Sequence, residues 1–210
     1  GGREVGGLAN QLAAHMDFTS EAIARVGRFW GAPNMASAPG LKAVELFEAI
    51  ESGAVKAVWI MATNPVVSLP DADRVRRALA RCELVVVSDC IEKTDTTACA
   101  HVLLPATGWG EKDGTVTNSE RRISRQRAVV PAPGEARHDW RIVCDIAARM
   151  GFGDAFDYPG PAAIFREHAA LSGFENAGTR AFDIGALAHL PDDAYEALAP
   201  VQWPVNAAHP

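Results

Sequence analysis

Three short apolar runs, residues 55–62 (VKAVWIMA), 84–87 (LVVV) and 101–104 (HVLL), set the terms on which this chain can fold. Each is too short for a core helix, and each is closed by a breaker or turn former: Thr63-Asn64-Pro65, Ser88-Asp89 and Pro105. Strands this apolar are expected to be covered on both faces. A helical pattern separates the first two, with Val75, Ala78 and Leu79 inward and Arg74, Arg76, Arg77 and Arg81 outward from Asp71 on. Another precedes the first, with Leu41, Val44, Leu46, Phe47 and Ile50 set against Lys42, Glu45, Glu48 and Glu51 and stopped by Gly53. Helices alternating with buried strands predict right-handed crossovers: an α/β, Rossmann-like open, mainly parallel sheet with flanking helices.

The flanks are less regular. Residues 1–40 are rich in Gly, Ala, Asn and Pro and read as loop, with one short helix near 21–29. Residues 109–135 read as irregular or hairpin-like, and Ile142, Val143, Ile146, Ala147 and Met150 mark a further helix closed by Gly151. Two weaker helical stretches follow, about 162–171 and 192–198. The expected organisation is an irregular segment 1–40, a Rossmann-like domain 41–151 and a peripheral helical and loop segment 152–210.

The formal charge of -6, without a Lys/Arg block, argues against nucleic acid or an anionic membrane as a partner, because both need clustered positive charge. No run of about 18 apolar residues suggests a membrane span. The start, GGREVGG, lacks an initiator Met and the basic and apolar regions of a secretion signal, so an internal segment of a cytoplasmic protein is expected. Cys82, Cys90, Cys99 and Cys144 form no CxxC pair, and the six histidines are scattered. Free thiols in a reducing compartment are expected, and no metal ligands from this segment.

In an open parallel sheet, ligands bind outside the carboxyl ends of the strands. That draws attention to Thr63 and Asn64, to Ser88 and Asp89, and to the loop Glu111-Lys112-Asp113-Gly114. The Asp89 carboxylate can accept two parallel hydrogen bonds from guanine N1–H and N2–H, or two from a ribose. Blander roles exist for each: a turn at Asn64-Pro65, a cap by Asp89 on the turn around Thr94, a solvated Lys112. No GxGxxG follows a strand, so a nucleotide is the natural ligand but an NAD-type phosphate loop is not supported.

Several linked motifs add to this. Ser88-Asp89 is followed by TDTTACAHVLLPA at 94–106, by EKDGTVTNSERR at 111–122, by Pro133-Gly134-Glu135-Ala136 and by Asp139-Trp140. In this order they resemble the large subunits of molybdenum/tungsten bis-molybdopterin guanine dinucleotide oxidoreductases. REVGGLAN at 3–10 and PVQWPV at 200–205 resemble elements of bacterial assimilatory nitrate reductases in particular.

The resemblance implies cofactor contacts from Asn64, Ser88, Asp89, Lys112 and Asp139, and a catalytic Arg3 whose planar guanidinium faces nitrate. It implies a molybdenum bis(molybdopterin guanine dinucleotide) cofactor, and a 4Fe-4S cluster that the parent, not this segment, ligates. The partners implied are the rest of the catalytic subunit, nitrate, and an electron-donor protein or domain. The reaction implied is oxygen-atom transfer from nitrate to give nitrite, and the segment alone is expected to be inactive. Three alternatives stand beside it: a formate dehydrogenase-like enzyme of the same family, a non-catalytic homologue as in NADH dehydrogenase, and a free-standing guanine-nucleotide module.

Overall fold

A computed structural model describes residues 2–209. Along the chain run α1 (Ser20–Trp30), α2 (Ala43–Glu51), β1 (Ala57–Met61), α3 (Pro65–Ser68), α4 (Ala72–Arg81), β2 (Leu84–Asp89) and β3 (Val102–Pro105). They are followed by β4 (Gly114–Thr117), β5 (Arg122–Gln126), α5 (Asp139–Ala147), α6 (Pro161–Gly173), α7 (Asp192–Glu196) and β6 (Val201–Gln202). By their contacts they fall into two compact units, one of residues 41–112 with 128–157, the other of residues 1–40, 113–127 and 158–210. None of the helices is long and apolar enough to cross a membrane.

The first of these units is the expected parallel α/β sheet, in the order β1-β2-β3. Strand alternation sends Val85 and Val87 of the central strand into a fully buried cluster with Ile50, Ile60, Val66, Val75, Ala78 and Leu79. Each such side chain contributes about 1.5–3 kcal/mol of hydrophobic burial. Asp71, at φ 55°, caps α4 by accepting from the Arg74 N–H at 3.0 Å. Arg74 in turn reaches Glu51 at 2.7 Å and Glu48 at 3.2 Å on α2, so the two helices are laced on their wet side. Coverage is less complete than the apolar runs suggest: β3 is an edge strand whose Val102 and Leu103 are exposed. Past its end the Thr107 N–H donates to the Arg137 carbonyl, and the Arg137 N–H to that of Pro105, so the start of α5 lies alongside β3.

The other unit is drawn from three separate stretches of the chain. Residues 1–40 and 158–210 are not separate trimmings, and residues 113–127 leave the middle of the chain to join them. The physical reason is one shared core, in which Leu12, Met16 and Val26 pack with Ile123, Phe165, Phe182, Ile184, Tyr195 and Trp203. Over it lies an antiparallel sheet, β4-β5-β6, with Val116 opposite Ser124 and Ile123 opposite Val201. The early loop is sharply specified: Gly6 has φ +69°, and a Cβ there would stand 2.7 Å from the Ala13 nitrogen.

Glu4 is buried in this core, and its Oε1 accepts from the Trp203 indole at 2.9 Å. Burial works to raise its pKa, and hydrogen bonds, among them those from Thr117 and Trp203, work to lower it, with the balance below its ordinary value. His15 and His168 flank Phe182, each with ring centroids 5.3 Å away. Burial pushes both imidazoles below their ordinary value against the opposing pull of Glu4.

Candidate functional site

The carboxyl ends of the parallel strands carry the polar groups. Alternation along β2 separates two neighbours: Ser88 lies with Val86 on the face opposite the Val85 and Val87 cluster and is buried there, whereas Asp89, the last residue of the strand, is partly exposed at the rim. Asp89 borders a 380 Å³ cavity whose other polar lining includes Cys90, Glu92, Glu111 and Glu135. Its Oδ1 accepts from the Ile91 N–H at 2.9 Å, and Oδ2 has no hydrogen-bond partner among the described residues. Glu111 is shaped by its own loop, its Oε2 accepting from the Gly108 N–H at 2.7 Å to cap the short 3₁₀ turn Trp109–Glu111.

Lys112 leaves that turn and meets Asp139, with Nζ 2.6 Å from Oδ2 and both side chains about one-third exposed. Asp139 is the first residue of α5, where a carboxylate is favoured by the unpaired N–H groups of a helix start. The strand-like pairing of Arg137 beside Pro105 and Ala106 aligns that start with the carboxyl end of the sheet. The pair thus offers a cationic donor and an anionic acceptor side by side.

Asn64 follows β1 and opens α3. Its Oδ1 accepts from the Thr96 hydroxyl at 2.7 Å, and the same Thr96 oxygen accepts from the Val66 N–H at 3.2 Å. Thr96 is fully buried.

The residues singled out from the sequence therefore fare differently. Asp89 stands on the cavity, Lys112 and Asp139 are joined, and Asn64 is tied to Thr96. Ser88 is buried, and its Oγ accepts from the Trp59 indole at 2.8 Å. Arg3 is exposed in the other unit, with its carbonyl accepting from the His15 N–H. The local role weighed for Asp89 is present too, on Ile91; the turn around Thr94 is instead held by Thr97, which accepts from the Thr94 N–H at 2.7 Å. Sequence reasoning did not single out Thr96, Trp59, Glu92 or Glu135. Thr96 and Glu135 lie within the quoted motifs and Trp59 within the first apolar run, but nothing local in the sequence marks any of the four as bordering the site.

Residues 2–149 match the family model described as "Molybdopterin oxidoreductase", and the chain belongs to that family. It is 62% identical over 206 residues to a nitrate reductase of Klebsiella oxytoca, covering 98% of this chain and 24% of the relative. It is 50% identical to a nitrate reductase of Shewanella frigidimarina, covering 99% of this chain and 22% of the relative. An assimilatory nitrate reductase catalytic subunit of Bacillus subtilis is 38% identical over 80% of this chain and 24% of its own length. The chain thus spans about a quarter of the length of these relatives. Among solved structures, acetylene hydratase from Pelobacter acetylenicus shares the fold, with TM-score 0.60 and 20% identity over 88% of this chain and 24% of that one.

The family implies a molybdenum-pterin cofactor, and the polar groups at the carboxyl ends of the strands offer such a group several acceptors and one cation. A guanine edge with two N–H donors suits a cavity rimmed by carboxylates, Asp89 above all, which has an oxygen to spare. Lys112 is the cation next to this set, and its partner Asp139 already neutralises it in part, so its contribution to holding phosphate is smaller than that of an unpaired lysine.

Proposed function

We propose that this chain is the part of a molybdenum-dependent nitrate reductase catalytic subunit that binds one molybdopterin guanine dinucleotide. The observation that carries the reading is the Asp89 carboxylate, presented with an unpartnered oxygen on a cavity at the carboxyl ends of parallel strands. Asp89 takes the guanine N–H donors, the Lys112–Asp139 pair supplies a donor and an acceptor to the dinucleotide, and Asn64 serves sugar or phosphate oxygens. Ser88 acts from beneath, by fixing the end of β2 through Trp59. Arg3 is assigned to the substrate oxyanion, since its planar fork matches a trigonal anion.

When bound in the parent, the molybdenum centre supplies the oxygen-atom transfer that turns nitrate into nitrite, with electrons arriving through a 4Fe-4S cluster held outside this segment. This segment's work is binding and orientation. Matches to nitrate reductases over nearly the whole of this chain support nitrate as the substrate, and the Bacillus subtilis relative, named an assimilatory catalytic subunit, supports an assimilatory enzyme; a cytoplasmic compartment and a separate electron donor belong to the same proposal. The segment by itself is inactive in this reading.

The test uses the full-length parent, measuring molybdenum content and nitrate-dependent oxidation of a reduced viologen in wild type and in Asp89→Ala with Lys112→Ala. Metal and turnover in wild type, both lost in the double variant, are expected. A metal-free, inactive parent would overturn the reductase reading in favour of a non-catalytic homologue.

A further inference from the structure

The buried hydroxyl of Thr96 decides which way the Asn64 amide faces. That hydroxyl has one proton and two lone pairs. One lone pair takes the Val66 N–H, and the proton goes to Asn64 Oδ1 at 2.7 Å. Were the Asn64 amide turned over, its NH₂ would donate to the same oxygen, and the proton of a fully buried hydroxyl would be left without an acceptor among the described residues. The amide oxygen is therefore locked inward, and Nδ2, which makes no hydrogen bond within the described residues, is the group Asn64 has to give. The backbone holds the arrangement: Ala62, at φ 54°, donates to the Ser88 carbonyl at 2.9 Å, and the Asn64 carbonyl accepts from Val67 and Ser68 at the start of α3.

We infer that Thr96 is a positioning residue that makes Asn64 a donor, selecting an acceptor oxygen of the bound dinucleotide, a phosphate or sugar oxygen, at the carboxyl end of β1. The inference rests on the proposed cofactor site and narrows the chemistry that its β1 corner accepts. A donor-bearing edge, such as a guanine N–H face, is refused at this corner and accepted at Asp89.

The experiment uses the purified full-length parent and follows loss of molybdenum cofactor on dilution in Thr96→Val, Thr96→Ser, Asn64→Ala and the Thr96→Val, Asn64→Ala double variant. Thr96→Val frees the amide to turn and should release cofactor about tenfold faster, the worth of one hydrogen bond. Thr96→Ser, which keeps the hydroxyl, should restore retention. In the double variant the valine should add nothing to the loss caused by Asn64→Ala, because Thr96 acts through Asn64. Wild-type retention in Thr96→Val, or losses that add in the double variant, would overturn the inference. A parent without molybdenum would instead defeat the cofactor reading. The clamp then remains open to test by hydrogen exchange at the Val66 amide, which should quicken in Thr96→Val and recover in Thr96→Ser; an unchanged rate would overturn it.

Discussion

Asp89 combines two duties in one carboxylate: Oδ1 closes its own turn on Ile91, and Oδ2 is left for a ligand. Hydrogen bonds to a charged group are worth about 1.5–3 kcal/mol, so Asp89→Ala alone should lower cofactor affinity roughly tenfold to a hundredfold. Molybdenum per polypeptide after gel filtration checks this, and a content equal to wild type would remove Asp89 from the site. The two histidines allow a second prediction. Their folded-state pKa values lie below the ordinary 6.5, so the unfolded chain binds protons first. Stability is then fully present above that value and drains away as pH falls through it. Glu4, held below its ordinary 4.5, adds a second loss at lower pH. Calorimetric unfolding midpoints should therefore fall between about pH 7 and about pH 5.5, before carboxylates titrate. A midpoint flat over that range would mean the rings are not buried neutral.

Among elements, the hairpin β4–β5 depends on one side chain. Arg125 is 1% exposed, reaches Asp113, donates twice to Glu196 at 2.8 and 3.0 Å, and lies 4.4 Å from the Tyr195 ring centroid. It joins the hairpin to α7. Its acidic partners are 37% and 60% exposed and can rehydrate, so Arg125→Met should cost about 2–3 kcal/mol rather than the larger penalty of a stranded buried charge. Arg122→Ala, breaking only an exposed pair with Glu120, should cost under about 0.5 kcal/mol. Urea midpoints of the two variants compare them directly. None of this could be read from the sequence, where Arg125 is one arginine among several in a polar stretch. What periodicity does reveal is local. The Asp71 cap, the stop at Gly53 and the inward face of Val75, Ala78 and Leu79 all stand where the pattern puts them. The site divides along the same line. Asp89, Lys112 and Asp139 sit at strand and helix ends that a sequence can locate, whereas the burial of Ser88 against Trp59 and the Thr96 clamp depend on partners about 30 residues away, 29 for Trp59 to Ser88 and 32 for Thr96 to Asn64.

At the scale of the molecule, the two units are threaded through one another in sequence. Residues 41–112 and 128–157 build one, and everything else builds the other. A chain cut after residue 157 therefore loses Phe165, Phe182, Tyr195 and Trp203 from the core they share with Leu12, Met16 and Val26, but nothing from the core around Val85 and Val87. Hydrogen exchange read by mass spectrometry should show protection lost across residues 2–40 and 113–127 and kept across β1, β2 and β3. Equal loss in both regions would mean the parallel sheet cannot stand without its neighbour.

The bond between Glu4 and Trp203 joins residues 199 apart. A ribosome adding about 5–20 residues each second needs roughly 10–40 s to travel that far. Over that time Leu12, Met16 and Val26 wait for a core that completes in steps, from Ile123 through Phe165 and Phe182 to Trp203, while the parallel sheet can already close. The nascent polypeptide thus carries one finished unit and one unfinished one until the closing tryptophan arrives.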